Sequence, residues 1–199
     1  MKTVVHVFLI AAICVLAYFI IASVNKPLQF NSEQKRRYDA TIERLRDIRT
    51  AQVAFRAEHR RFTSCFDTLI DFLKTGEFTI LRVVGDVDDS AAVAAGLISR
   101  DTIRVSVLDS LFRRGYPVDS LRFVPYARGV EFSLGTAIVR AGNVDVPVFE
   151  ASVLNDVLLH GLDPQLLVNF NADRRIRTGF AGLRVGSLTE TTNNAGNWE

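Results

Sequence analysis

The residues of this chain that could do chemistry do not fall into a pattern that catalysis or metal binding requires. Gly85-Asp86-Val87-Asp88-Asp89-Ser90 gathers three carboxylates in one turn. Oxygen-rich loops hold calcium, but this one lacks the spaced ligands and distant bidentate glutamate of a calcium hand, so a solvated turn is expected. His6, His59 and His160 are scattered, with no Cys, His or carboxylate at ligand spacing, and zinc is not expected. Cys65 stands where a helix is expected to begin, a place that lowers a thiol pKa. With no base in view, it reads as a small buried or half-buried residue. There is no Gly-x-Ser-x-Gly elbow and no Gly-rich phosphate loop; Gly179 and Gly182 are isolated. Arg174-Arg175-Ile176-Arg177 is a compact basic cluster that suits anionic headgroups or an acidic partner. It equally suits the end of a helix, where cations offset the dipole, and that use is expected. No catalytic, cofactor-binding or metal residue, and no enzyme activity, is expected.

Composition narrows the classes further. A net charge of +2 argues against a nucleic-acid binder driven by phosphate neutralisation. The two cysteines are Cys14, inside an apolar run, and Cys65, far from it, so a disulfide scaffold is excluded.

What must position these residues begins with that apolar run. Val4 to Val24 is broken only by His6 and Ser23. At about 1.5 Å per helical residue it covers the roughly 30 Å hydrocarbon core of a bilayer. A cleaved signal would have a shorter core and a small-x-small exit, and Ile20-Ile21-Ala22-Ser23-Val24-Asn25 is a poor version of one. Ile13 before Cys14 does not fit a lipobox. Residues 1–26 are therefore expected to be a retained transmembrane anchor, with membrane lipid as the partner of residues 4–24. Lys26, Lys35, Arg36 and Arg37 outnumber the basic groups before the run, and by count alone they put the following domain in the cytoplasm.

Pro27 is expected to break the chain or start a new segment. Glu33–His59 then reads as an amphipathic helix. Tyr38, Ile42, Leu45, Ile48, Ala51 and Phe55 recur at steps of three and four, with charged residues elsewhere. Packing on the domain's own sheet is expected over a subunit seam, since the stripe spans fewer than three heptads. A short helix follows, with Ser64 as N-cap, Asp67 answering it and Gly76 as the stop. From Glu77 the pattern predicts strands at Phe78–Val84, Thr102–Leu108, Leu121–Tyr126, Val130–Val139, Val146–Val153 and Leu183–Leu188, with Pro125 and Pro147 at strand ends or edges. Asp163-Pro164 predicts one more helix start. The expected organisation is an anchor (1–26), an amphipathic helical region (27–76), a β-rich head continuous with it (77–188) and a polar, extended tail (189–199). The fold class is α+β, an amphipathic helix packed on a mostly antiparallel sheet.

The run from Ile42 to Phe62, IERLRDIRTAQVAFRAEHRRF, followed by Phe66-Asp67-Thr68-Leu69, resembles type IV pilins and type II secretion pseudopilins. In that architecture a membrane helix leads through an amphipathic helix into an exported head. The family's Gly-Phe processing site and its acidic residue early in the membrane helix have no counterpart here. Val146–Ala151 and Gly186–Glu199 resemble parts of bacterial membrane-anchored proteins, which implies no activity. The resemblance implies a structural or interaction subunit of the inner membrane, with a periplasmic head and protein partners or self-association. A membrane-anchored ligand-binding or scaffold module is the alternative, and an enzyme without a recognisable site the third reading.

Overall fold

A computed structural model describes residues 2–84 and 99–199. The acidic turn at Gly85–Ser90 lies outside the described residues. The chain is a mixture of helix and antiparallel sheet, as the sequence leads one to expect.

Its first element is one helix, α1 (Lys2–His59), about 87 Å long at helical rise. The expected break at Pro27 does not occur. The ring removes one hydrogen bond from the ladder. Past it the helix is held from outside: Phe30 is buried edge-on against Phe170, 6.2 Å between centroids. On the other side the long apolar run keeps its helical conformation up to the proline.

The upper half of α1 carries the predicted stripe, and the head consumes it. Leu45, Ile48 and Ala51 are fully buried, Tyr38 and Phe55 nearly so, and Ile42 packs at the margin. The seam reading of this stripe is therefore overturned. Its partners are α2 (Phe66–Thr75), with Leu69 and Leu73 facing in, and the inner face of a three-stranded antiparallel sheet. That sheet has the order β3 (Ser133–Ala141), β4 (Val144–Leu154), β5 (Gly182–Gly186). Phe62, just past α1, closes the top of the core against Phe149 at 4.8 Å.

The start of α2 corrects one expectation. Cys65, not Ser64, is the N-cap. Thr63 Oγ1 accepts from the Cys65 N–H, and Asp67 is drawn outward to Arg122. Gly76 does end the helix, but in extended backbone. A β-carbon there would lie 2.5 Å from the Phe72 carbonyl oxygen, so the glycine is needed for close approach.

β1 (Glu77–Val84) and β2 (Ser99–Ser106) form a separate two-stranded arm, paired from Glu77↔Ser106 to Val84↔Ser99. The predicted strand Thr102–Leu108 stops at Ser106, which caps a short helix, α3 (Val107–Leu111), through the Asp109 N–H. Leu121–Tyr126 is not a strand. Pro117 opens a 3₁₀ turn over Val118–Arg122, and only Phe123 makes an isolated bridge, to Glu131. Two further helices leave the sheet, α4 (Asn155–Leu158), which the pattern did not predict, and α5 (Pro164–Thr178). Asp163 caps α5 as expected, accepting from the Gln165 and Leu166 N–H groups.

Thr189–Glu199 is docked. Gly186 N–H donates to the Ala195 carbonyl and Asn197 N–H to the Arg184 carbonyl, so the tail covers the outer edge of β5. Arg49 of α1 ties down Glu199 at 2.7 Å, and Trp198 packs against the core. Gly186 makes this join possible. It has φ +75°, and a β-carbon there would sit 2.1 Å from the Phe149 carbonyl oxygen.

Candidate functional site

The longest unpartnered surface is the lower half of α1. Among the described residues its large apolar side chains are exposed, from Phe8 at 73% to Leu28 at 59%. An 18-residue window reaches a mean hydropathy of 2.4 with none of it buried. A helix apolar all round is stable only inside a large core or a bilayer. Among the described residues this is the one helix long and apolar enough to cross a membrane. Cys14 lies on it, exposed.

Where α1 enters the head, its side chains turn from apolar to polar and are gripped by α4 and α5. The Tyr38 hydroxyl donates to Asn155 Oδ1; Asn155 Nδ2 donates to Asn171 Oδ1 at 2.8 Å; Asn171 Nδ2 donates to Asp156 Oδ1 at 2.8 Å. Tyr38, Asn155 and Asn171 are all buried. Arg37 adds two bonds, to the Leu158 and His160 carbonyls, both 3.0 Å, and pairs with Glu33 at 2.9 Å. The two guanidinium groups of Arg36 and Arg37 hold the Glu33 carboxyl below its usual range. This clasp fixes the angle at which the bare stem leaves the head.

Burial pushes the Tyr38 hydroxyl up to about 12, against the opposing pull of the Arg174 guanidinium and the Asn155 bond. An unfolded tyrosine ionises near 10. A raised acid favours the folded state while it stays neutral. The stability it contributes is therefore whole below about pH 10 and is lost as pH rises through 10 to 12, by up to about 3 kcal/mol. Tyr116 behaves alike. Its half-buried hydroxyl donates to Asp47 Oδ2 at 2.6 Å and titrates well above the ordinary range. Alkaline unfolding followed by circular dichroism should track tyrosinate absorbance in this window. Tyr38→Phe should shift the midpoint upward.

The candidate chemical groups do not converge. His59 lies between Phe55 (4.3 Å, tilted) and Phe72 (5.5 Å, edge-on), and His160 offers its carbonyl to Arg37. Cys65 is exposed, not half-buried. The Thr68 backbone and hydroxyl and the Asp67 N–H hold its thiol below the usual range, with no base beside it. The basic cluster points three ways: Arg174 over the Tyr38 ring and onto the Gly182 carbonyl, Arg177 to Asp173, Arg175 into solvent. Among the described residues no group of three His, Cys, Asp or Glu could hold a metal. A cleft of about 590 Å³ opens beside the clasp, lined by Arg37, Tyr126, Arg128, Val130, Asp156 and His160, with the Arg36 guanidinium 4.8 Å from the Tyr126 ring centroid. It contains no nucleophile–base pair.

Sequence reasoning missed the clasp. The available signal was Asn155-Asp156, two polar residues set between Val153-Leu154 and Val157-Leu158.

Compared with known proteins, the chain matches no family model, no curated protein and no solved structure.

Proposed function

We propose that this chain is a single-pass membrane protein that works through protein contacts of its head and stem, as a pilin-like or secretion-associated subunit and not as an enzyme. The observation that carries the reading is α1 itself. One continuous helix is bare and apolar along its lower half and built into the head along its upper half. That geometry couples the orientation of the head rigidly to the membrane. Because the head has used the stripe from Tyr38 to Phe55, lateral contacts fall to the stem and to the outer surfaces of the head.

The expected result is that full-length protein sediments with membranes and resists alkaline carbonate, while a chain lacking residues 1–25 is released. Alkali is expected to destabilise the head through Tyr38 and Tyr116 and to leave an inserted stem in the membrane. Recovery of a shorter soluble form beginning near Asn25 from cells would overturn the anchor. The head is proposed to be periplasmic, on the pilin-like resemblance. The basic residues opposing this lie mostly ten or more residues beyond the apolar run, and long domains translocate despite such charges. Exposed Cys65 tests the side. An impermeant thiol reagent should label it in spheroplasts, and labelling only after lysis would put the head in the cytoplasm.

A further inference from the structure

We propose that the outer edge of β3 is an assembly edge that receives strand β1 of a second copy, so that chains in one membrane join in an open row. This rests on the reading of the protein as a self-associating subunit.

The direction of the backbone groups follows from two bonds. Asn155 N–H donates to the Ala181 carbonyl, on the β5 side of β4. Alternate residues of a strand turn their N–H and C=O to the same side. Odd-numbered β4 residues therefore face β5 and even-numbered ones face β3. Through the pairs Val148↔Ala137 and Val146↔Val139, odd-numbered β3 residues face β4. Leu134, Thr136, Ile138 and Arg140 turn their N–H and C=O outward. Among the described residues these groups have no backbone partner.

An open edge of this length is ordinarily protected by proline, charge, a bulge or a covering segment. The other edges of this sheet are protected. The tail covers β5, and beyond the end of β5 the β4 edge places Pro147, which has no N–H to offer. The β3 edge has no proline and no break in register, Arg140 is its one charge, and Ile138 is 74% exposed.

Two β3 edges cannot pair with each other within one bilayer. Antiparallel pairing of identical edges needs a twofold axis normal to the sheet. α1 packs along the sheet face, so that axis would reverse it and send the two stems in opposite directions. The occupant must be a different edge, and the arm supplies one. An isolated two-stranded ribbon is marginal in water, and a third strand remedies that. Val107 N–H donates to the Gly76 carbonyl, which turns even β1 residues towards β2 and leaves Glu77, Thr79, Leu81 and Val83 facing out. On β2 the same rule turns Arg104 outward, and no outward-facing position of β2 is acidic, so β2 offers Arg140 no opposite charge. Antiparallel docking of β1 opposes Glu77 to Arg140, Thr79 to Ile138, Leu81 to Thr136 and Val83 to Leu134. That docking sets Glu77 opposite Arg140, a pair of opposite charges on neighbouring strands. The contact is head-to-tail and leaves one edge free at each end of the row.

The test uses full-length protein in membranes, with Cys14→Ser and Cys65→Ser as background. One tagged copy carries Ile138→Cys and a second, differently tagged, carries Thr79→Cys. Hydrogen-bonded strand neighbours bring Cα atoms to about 5.5 Å, within disulfide reach. The expected result is a mixed disulfide dimer, reduced at least tenfold by Arg140→Glu in the first copy and restored by Glu77→Arg in the second. Restoration excludes misfolding of Arg140→Glu as the cause. Co-purification of the two tags in mild detergent reads association independently. Tags that co-purify without this disulfide overturn the β3–β1 contact and leave the subunit reading standing. Tags that do not co-purify overturn both. A dominant Ile138→Cys homodimer, or preferential trapping by Arg104→Cys on β2, also overturns the proposal.

Discussion

Leu45→Ala or Ile48→Ala should each destabilise the head by about 2–5 kcal/mol, the range for truncating a fully buried aliphatic side chain. Both side chains are wholly inaccessible and sit where α1 meets α2 and the sheet. Their neighbours belong to rigid elements on three sides, which limits collapse into the cavity and favours the upper part of the range. A domain of this size has about 5–15 kcal/mol of net stability, so the double variant should not fold at growth temperature. Val53→Ala on the same helix is the control. Val53 is exposed, and its loss should cost no more than about 0.5 kcal/mol. Urea unfolding of detergent-solubilised protein, read by circular dichroism at the head's transition, checks all three. An unchanged midpoint for Leu45→Ala would mean that the head does not depend on the stripe.

The periodic parts of the chain were legible because a single physical rule governs them. The apolar run and the Tyr38–Phe55 stripe are both helical signals, and Asp163-Pro164 specifies a cap and first turn by local chemistry alone. The strands expected at Val130–Val139 and Val146–Val153 overlap most of β3 and β4 because short β-rich runs carry their own signal. What escaped was decided by tertiary partners. Pro27 reads as a break, yet contacts such as Phe30 on Phe170 hold the helix past it. Leu121–Tyr126 has strand composition, but Pro117 precedes it, Pro125 interrupts it and Leu121 is taken into the core from a 3₁₀ turn. The tail is polar in composition and docks by backbone bonds, which composition does not report. The candidate surface was half legible. Residue types foretold the bare stem. The β3 edge required knowing which strand lay at the end of the sheet, a fact set by β5 arriving from beyond α5.

The clasp gives a second large effect. Asn155→Ala removes the acceptor of the Tyr38 hydroxyl and a donor to Asn171 Oδ1 in one step. Both partners remain buried, with no room to turn towards water. Leaving a buried polar group unsatisfied costs about 1–3 kcal/mol, so two such groups predict a loss of about 2–6 kcal/mol. The cause can be separated from the lost packing volume by a cycle. In the Asn155→Ala background Tyr38→Phe removes a hydroxyl whose acceptor is already gone, and should cost less than it does in the native chain. An additive cycle would show that the Tyr38–Asn155 bond contributes nothing to holding the head. The consequence for function is directional. Tyr38 and Arg37 tie α1 to α4 and α5 just above Phe30, the last buried contact before the stem, so a weakened clasp should let the head tilt on its stem before it unfolds. On the assembly proposed above, tilt misaligns the β3 edge with the arm of the next chain. Asn155→Ala should therefore lower the yield of the Ile138→Cys–Thr79→Cys disulfide at temperatures where circular dichroism still reports a folded head.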